Sequence, residues 1–138
     1  MKTAKELYPE YWEEEQKNGS FYGPCDYQPI IDQFGEILIQ VDDEDYQGDS
    51  RVLYKDGEKY GYLNFGWGSC SGCDALQGAT SVCEIQELID GLQKDIKWFD
   101  DKASCLKYFK KKDWKLDYSY HAEETKDFVE KVIKHLSE

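Results

Sequence analysis

The chain predicts an α+β fold: a single domain over residues 1–138, in which a three- or four-stranded antiparallel sheet carries helices packed on one face. Three observations lead there. Residues 36–67 hold runs of strand periodicity, residues 82–136 hold stripes of helical periodicity, and an Asp56-Gly57 pair separates two β-rich runs as a hairpin turn would. Strands first and helices afterwards imply helices gathered on one side of a sheet. Of the 138 residues, 40% are apolar and 15% aromatic, which is enough to bury a core despite a charged fraction of 33%.

The elements follow in order. In "LYPEYWEEEQKNG", Pro9 suits a first helical turn, the acids favour the positive N-terminal end, and Asn18-Gly19 stops the helix. Gly23-Pro24 and Pro29 make residues 20–35 mostly loop. "EILIQVD" at 36–42 sets Ile37, Ile39 and Val41 on one face of a strand, and "RVLYKDGEKYGYLNFGW" supplies the hairpin, with positive φ expected at both turn residues. Ser81 and Glu84 form a capping box that opens a helix with the stripe Ile85, Leu88, Ile89, Leu92, Ile96 and Phe99. A second helix at about 101–111 contributes Leu106 and Phe109. "DWKLDYSY" supplies a fourth strand or an extended connection. The final helix lines Thr125, Phe128, Val129, Val132, Ile133 and Leu136 along one face.

The net charge of −12 is unevenly spread: −13 over residues 1–96, +4 over 97–115, and −3 over the last 23. So acidic a surface repels nucleic-acid backbones and favours basic proteins, cations or nothing in particular as partners, a basic protein surface being the partner expected. No apolar run is long enough to span a bilayer, and the N-terminus lacks the apolar core of a signal peptide, so a cytoplasmic protein without membrane attachment is expected. The acids concentrate in "VDDEDYQGD", where Asp42, Asp43, Glu44, Asp45 and Asp49 surround Tyr46. The glutamate and glycine positions of a calcium loop are absent, which leaves a solvated loop or a partner-binding surface. Trp67 joins the partner-binding candidates, because aromatics are favoured where interfaces concentrate their binding energy.

The stretch "WGSCSGCDALQ" places Cys70 and Cys73 around a Ser-Gly pair. It reads first as a glycine-rich turn. Second, it is half of a tetrahedral zinc site, with Cys83 and His121 as the remaining ligands and Cys25 and Asp74 as further candidates. Third, it is a redox pair, which Asp74 opposes by raising a neighbouring thiol pKa. Five cysteines cannot all pair within one chain, and thiols or ligands are expected. His121 reads as a helix-entry residue before it reads as a partner of Glu124. No P-loop, dinucleotide fingerprint or nucleophile elbow is present, which weighs against an enzyme. The lysines interleaved with aromatics in "KYFKKKDWKLDY" could stack bases and pair phosphates, but the chain's net charge favours a solvated helix face.

The segments "YGYLNFGWGSCSGCDAL" (60–76) and "DWKLDYSYHAEETKDFV" (113–129) resemble a family of short phage and mobile-element proteins that share a "YGY...GxGSCSGCDxL" centre and a later "DW...YSxH...FV" segment. The resemblance implies a phage-type context and a coupled region of Cys70, Cys73, Asp74 and His121, but no reaction. Two functions are therefore expected in order: an acidic binding protein that inhibits a host nucleic-acid enzyme by mimicry, in the manner of anti-restriction or anti-CRISPR proteins, and a metal or small-ligand binding protein built on the Cys70/Cys73 loop with His121.

Overall fold

The computed structural model describes residues 1–44, 47–68, 74–114 and 122–138. The elements are α1 (Ala4–Leu7), α2 (Pro9–Asn18), α3 (Gln28–Ile31), β1 (Glu36–Asp42), β2 (Gly48–Asp56), β3 (Lys59–Trp67), α4 (Val82–Asp95), β4 (Lys97–Phe99), α5 (Lys102–Lys111) and α6 (Ala122–Ser137). The fold is α+β, with one four-stranded antiparallel sheet in the order β1-β2-β3-β4. The chain forms two compact units, residues 1–34 with 67–95 and residues 35–66 with 96–138. No helix among the described residues is long and apolar enough to cross a membrane.

The first unit is helical. Thr3 and Glu6 cap α1 reciprocally, and the Ala4 N–H donates to Gln86 Oε1 at 2.7 Å, tying α1 to α4. Pro9 occupies the first turn of α2, and Gly19, at φ 81°, ends it in the left-handed conformation that glycine adopts without strain. The short α3 falls where Pro29 predicted loop; Asp26 Oδ1 accepts from the Gln28 N–H at 2.9 Å and turns the chain into it. At α4 the capping box is displaced by one residue. Ser81 Oγ accepts from the Glu84 N–H, but the Glu84 carboxylate takes both the N–H and the hydroxyl of Thr80, and Glu15 Oε1 meets the Val82 N–H at 2.8 Å. Two acids thus sit at the positive end of α4.

The second unit is the sheet with α5 and α6 on one face. Leu53, Tyr60 and Tyr62 of the sheet meet Cys105 and Phe109 of α5 and the stripe Phe128, Val129, Val132 and Leu136 of α6. Burying each large side chain contributes about 1.5–3 kcal/mol. Tyr62 is the centre, with ring centroids 5.3 Å from Phe109, 5.7 Å from Phe128 and 5.8 Å from Trp114. The Trp114 indole N–H donates to the Phe109 carbonyl at 2.9 Å, fastening the chain that leaves α5.

Three local expectations change. A bulge between Ile37 and Ile39 pairs Ile37 with Tyr54 but Ile39 with Leu53, so Ile37 leaves the face that Ile39 and Val41 share. The hairpin turn is Gly57-Glu58 rather than Asp56-Gly57: only Gly57 has positive φ, at 63°, the pattern of a turn with glycine first. The fourth strand is formed by Lys97–Phe99, residues that continue the helical stripe of α4 by spacing alone. They pair with β3 so that Trp98 lies opposite Gly61, and a Cβ on Gly61 would stand 2.8 Å from the Trp98 ring. Glycine leaves the room in which the indole rests, a pairing that offsets the weakness of glycine in a strand. "DWKLDYSY" lies outside the described residues beyond Trp114.

Gly61→Ala should therefore force Trp98 out of its seat and destabilise the protein by about 1–3 kcal/mol, measured by urea unfolding with tryptophan fluorescence. An unchanged midpoint would show that Trp98 does not depend on that space.

Candidate binding site

The first unit is organised around a buried carboxylate. Asp74, 5% exposed, accepts four hydrogen bonds: Oδ1 from the Tyr27 hydroxyl at 2.8 Å, the Leu76 N–H at 2.8 Å and the Gln77 N–H at 3.1 Å, and Oδ2 from the Gly68 N–H at 2.8 Å. Its charge is met by donors, as burial demands. The Gln77 side-chain amide donates to the Gly68 carbonyl at 2.8 Å, so both backbone groups of Gly68 are tied to the turn that follows Asp74. Burial and the hydrogen bond to Asp74 raise the pKa of Tyr27 above the usual tyrosine value.

The turn fixed by Asp74 then positions a second stretch of chain. The Gly23 N–H donates to the Gln77 carbonyl at 3.1 Å and the Phe21 N–H to the Thr80 carbonyl at 3.3 Å. A Cβ on Gly23 would lie 1.8 Å from the Leu76 carbonyl oxygen, so only glycine permits this approach. Residues 21 and 23 are thus held inward, and Tyr22 between them projects outward, 85% exposed.

Tyr22 stands at an open groove of about 750 Å³ whose other walls are Phe21, Ser20, Thr80 and three residues of α2: Glu10, Tyr11 and Glu14. Glu10 and Glu14 are one turn apart and share a helix face. The Tyr11 ring packs edge-on against Phe21, with centroids 5.2 Å apart, which closes the groove floor. The Asn18 side-chain amide donates to Glu14 and steadies its carboxylate. The unit carrying this groove has four lysines against twelve acids, a net −8. Two carboxylates beside an exposed aromatic ring offer a cation both charge and a π face.

The residues predicted for partner binding are placed differently. Asp43 is buried, pairing Oδ1 with Arg51 Nη1 at 2.8 Å and accepting the Asp49 N–H on Oδ2 at 2.7 Å. It is an internal counter-ion and not part of the acidic surface. Asp42 and Glu44 are exposed, Asp49 and Trp67 are half-buried, and Asp45 and Tyr46 lie outside the described residues. Of the predicted metal ligands, Cys70, Cys73 and His121 also lie outside them, while Cys83 is exposed in the first turn of α4. Among the described residues no three His, Cys, Asp or Glu side chains converge on a common point. Cys25 is exposed; Cys105 is buried, and burial pushes its thiol up to about 12.

No family model, curated protein or solved structure matches the chain. The site is therefore read from its own geometry. The groove escaped the sequence reading, although its signal was present: Glu10 and Glu14 at helical spacing around Tyr11, and a tyrosine before a glycine that requires close backbone approach.

Asp74→Ala should cost roughly 3 kcal/mol or more, because it strands buried donors, and Tyr27→Phe about 1–2 kcal/mol, both measured by urea unfolding at neutral pH. The raised Tyr27 pKa favours the neutral hydroxyl in the folded state. Its contribution is intact below the unfolded tyrosine value of about 10 and is lost as pH rises above it, so Tyr27→Phe should lose less stability than the parent between about pH 9 and 11. Equal losses in the two proteins would refute that role.

Proposed function

We propose that the protein is a non-enzymatic binding protein that engages a basic surface of a partner protein through the acidic, aromatic groove of its first unit. The observation that carries this reading is Tyr22, held outward at 85% exposure beside Glu10 and Glu14. A tyrosine whose backbone is held on either side, and whose ring has only two side-chain torsions, loses little freedom on binding, and the carboxylates are placed to meet lysine or arginine. The −8 charge of the unit supplies long-range attraction to a basic partner and faster encounter. The phage-type context implied by the sequence resemblance makes a host nuclease the first partner to test, with the acids standing in for nucleic-acid phosphates.

Purified restriction and CRISPR-type nucleases should be assayed for binding and for DNA cleavage in the presence of the protein. The expected result is inhibition with binding that weakens as salt rises from about 0.05 to 0.5 M, and a loss of at least about tenfold in affinity in Tyr22→Ala and in Glu10→Gln/Glu14→Gln. Binding to none of them, or variants that bind as the parent does, would defeat the reading.

A second reading rests on the clasp between Gly68 and Asp74, which pins the two ends of the stretch that contains Cys70 and Cys73. Pinned ends reduce the ordering needed to bring two thiolates to a zinc ion, with Cys83 and His121 as the further ligands proposed. Asp74 itself is engaged by four donors and is not among them. Elemental analysis of protein purified without chelator should then give about one zinc per chain, lost in Cys70→Ser/Cys73→Ser. Zinc-free protein with unchanged stability in the double variant would remove this reading.

A further inference from the structure

The geometry points to a binding site of opposite charge on the second unit: a cleft on α5 that takes a small phosphate monoester with an aromatic or other apolar body. It goes beyond the proposed function, since it lies on other elements and selects the other sign of ligand. Ser104, Lys107, Tyr108 and Lys111 follow the spacing of one helix face, and with Lys112 they line a concavity of about 500 Å³. That volume falls in the range of small-ligand sites.

The depression is open to solvent: the half-buried Tyr108 ring and the lysine stems line it, and the ammoniums of Lys107 and Lys111 reach into water. Two ammoniums lie near the Tyr108 ring, Lys97 Nζ at 5.2 Å and Lys112 Nζ at 5.8 Å from its centroid. Lys112 Nζ is also 4.5 Å from the Trp114 centroid, so the cation is drawn onto aromatic faces at the edge of the cleft. Lys107 and Lys111, exposed and without an ion pair among the described residues, stand one turn apart.

Two ammoniums at that spacing suit a phosphate, whose several oxygens can meet both, better than a single carboxylate. The Tyr108 ring and the lysine stems accept the ligand's body, while the Ser104 hydroxyl at the rim is hydrogen-bonded to the Asp101 carboxylate that caps α5. The size of the ligand is set by the rest of the chain. At a net charge of −12, a long polyanion meets repulsion beyond the patch, whereas a compact anion within a Debye length of about 8–10 Å is governed by the local lysines.

Adenosine monophosphate is the probe, titrated into the full chain by calorimetry in about 0.05 M salt, with adenosine, inorganic phosphate and a single-stranded oligonucleotide in parallel. Expected are saturable 1:1 binding of the nucleotide and binding at least about tenfold weaker for adenosine and for phosphate alone. A further loss of about tenfold or more is expected in Lys107→Ala/Lys111→Ala. Lys110→Ala, outside the cleft on the same helix, should change affinity by no more than about twofold, and Tyr22→Ala should leave it unchanged, which separates this site from the acidic groove. The proposal is overturned if the nucleotide does not bind, if Lys110→Ala weakens binding as much as the double variant, or if only the oligonucleotide binds.

Discussion

The first unit depends on one buried carboxylate. Asp74 has two oxygens and four donors around them, three from backbone N–H groups and one from the Tyr27 hydroxyl. A buried carboxylate is tolerated only when its hydrogen-bonding capacity is met, and once met it holds every donor in place, because losing any one exposes a charge to a medium that cannot solvate it. The turn from Asp74 to Thr80 inherits that rigidity. Gly23 and Phe21 hydrogen-bond to the same turn, and Tyr22 is presented outward as a consequence. A surface feature thus traces back to an internal charge.

A different solution to the same problem operates in the second unit. Asp43 is paired with Arg51, their side chains 0% and 3% exposed, and the Asp49 N–H also donates to the carboxylate. Arg51 Nε has no hydrogen-bond partner among the described residues. Such a pair adds little net stability over an apolar substitute, yet removing one member would cost about 3–5 kcal/mol by stranding the other. Its effect is to fix where the β1 to β2 connection leaves the sheet. The apolar core of the same unit is centred on Tyr62, which packs against Phe109 and Phe128.

The two units present surfaces of opposite character. Acids and an exposed tyrosine meet at the groove on α2, while lysines and a half-buried tyrosine meet at the cleft on α5. In both, an aromatic ring is flanked by charges of one sign. The physical logic is shared: a ring is cheap to order, and a charge pattern rejects ligands of the wrong sign.

Much of this was open to reading from local patterns. The stripe of α6, the capping serine of α4, Pro9 and Gly19 at the ends of α2, and β1 at 36–42 all express periodicities or backbone restrictions that a few neighbouring residues contain. β4 was not legible, because Ile96 and Phe99 continue a helical stripe by spacing and only Gly61, on another strand, makes room for Trp98. Nor were the fates of the acids. Asp43 and Asp74 look like any exposed carboxylate in sequence, and their burial depends on Arg51 in one case and on Tyr27, 47 residues away, in the other. The sequence alone determined the class of fold, most helix ends and the sign of the surface, since these follow from short-range sterics and composition. Tertiary structure decided which charges are internal and which face solvent, because desolvation is a property of everything that surrounds a group and not of its place in the chain.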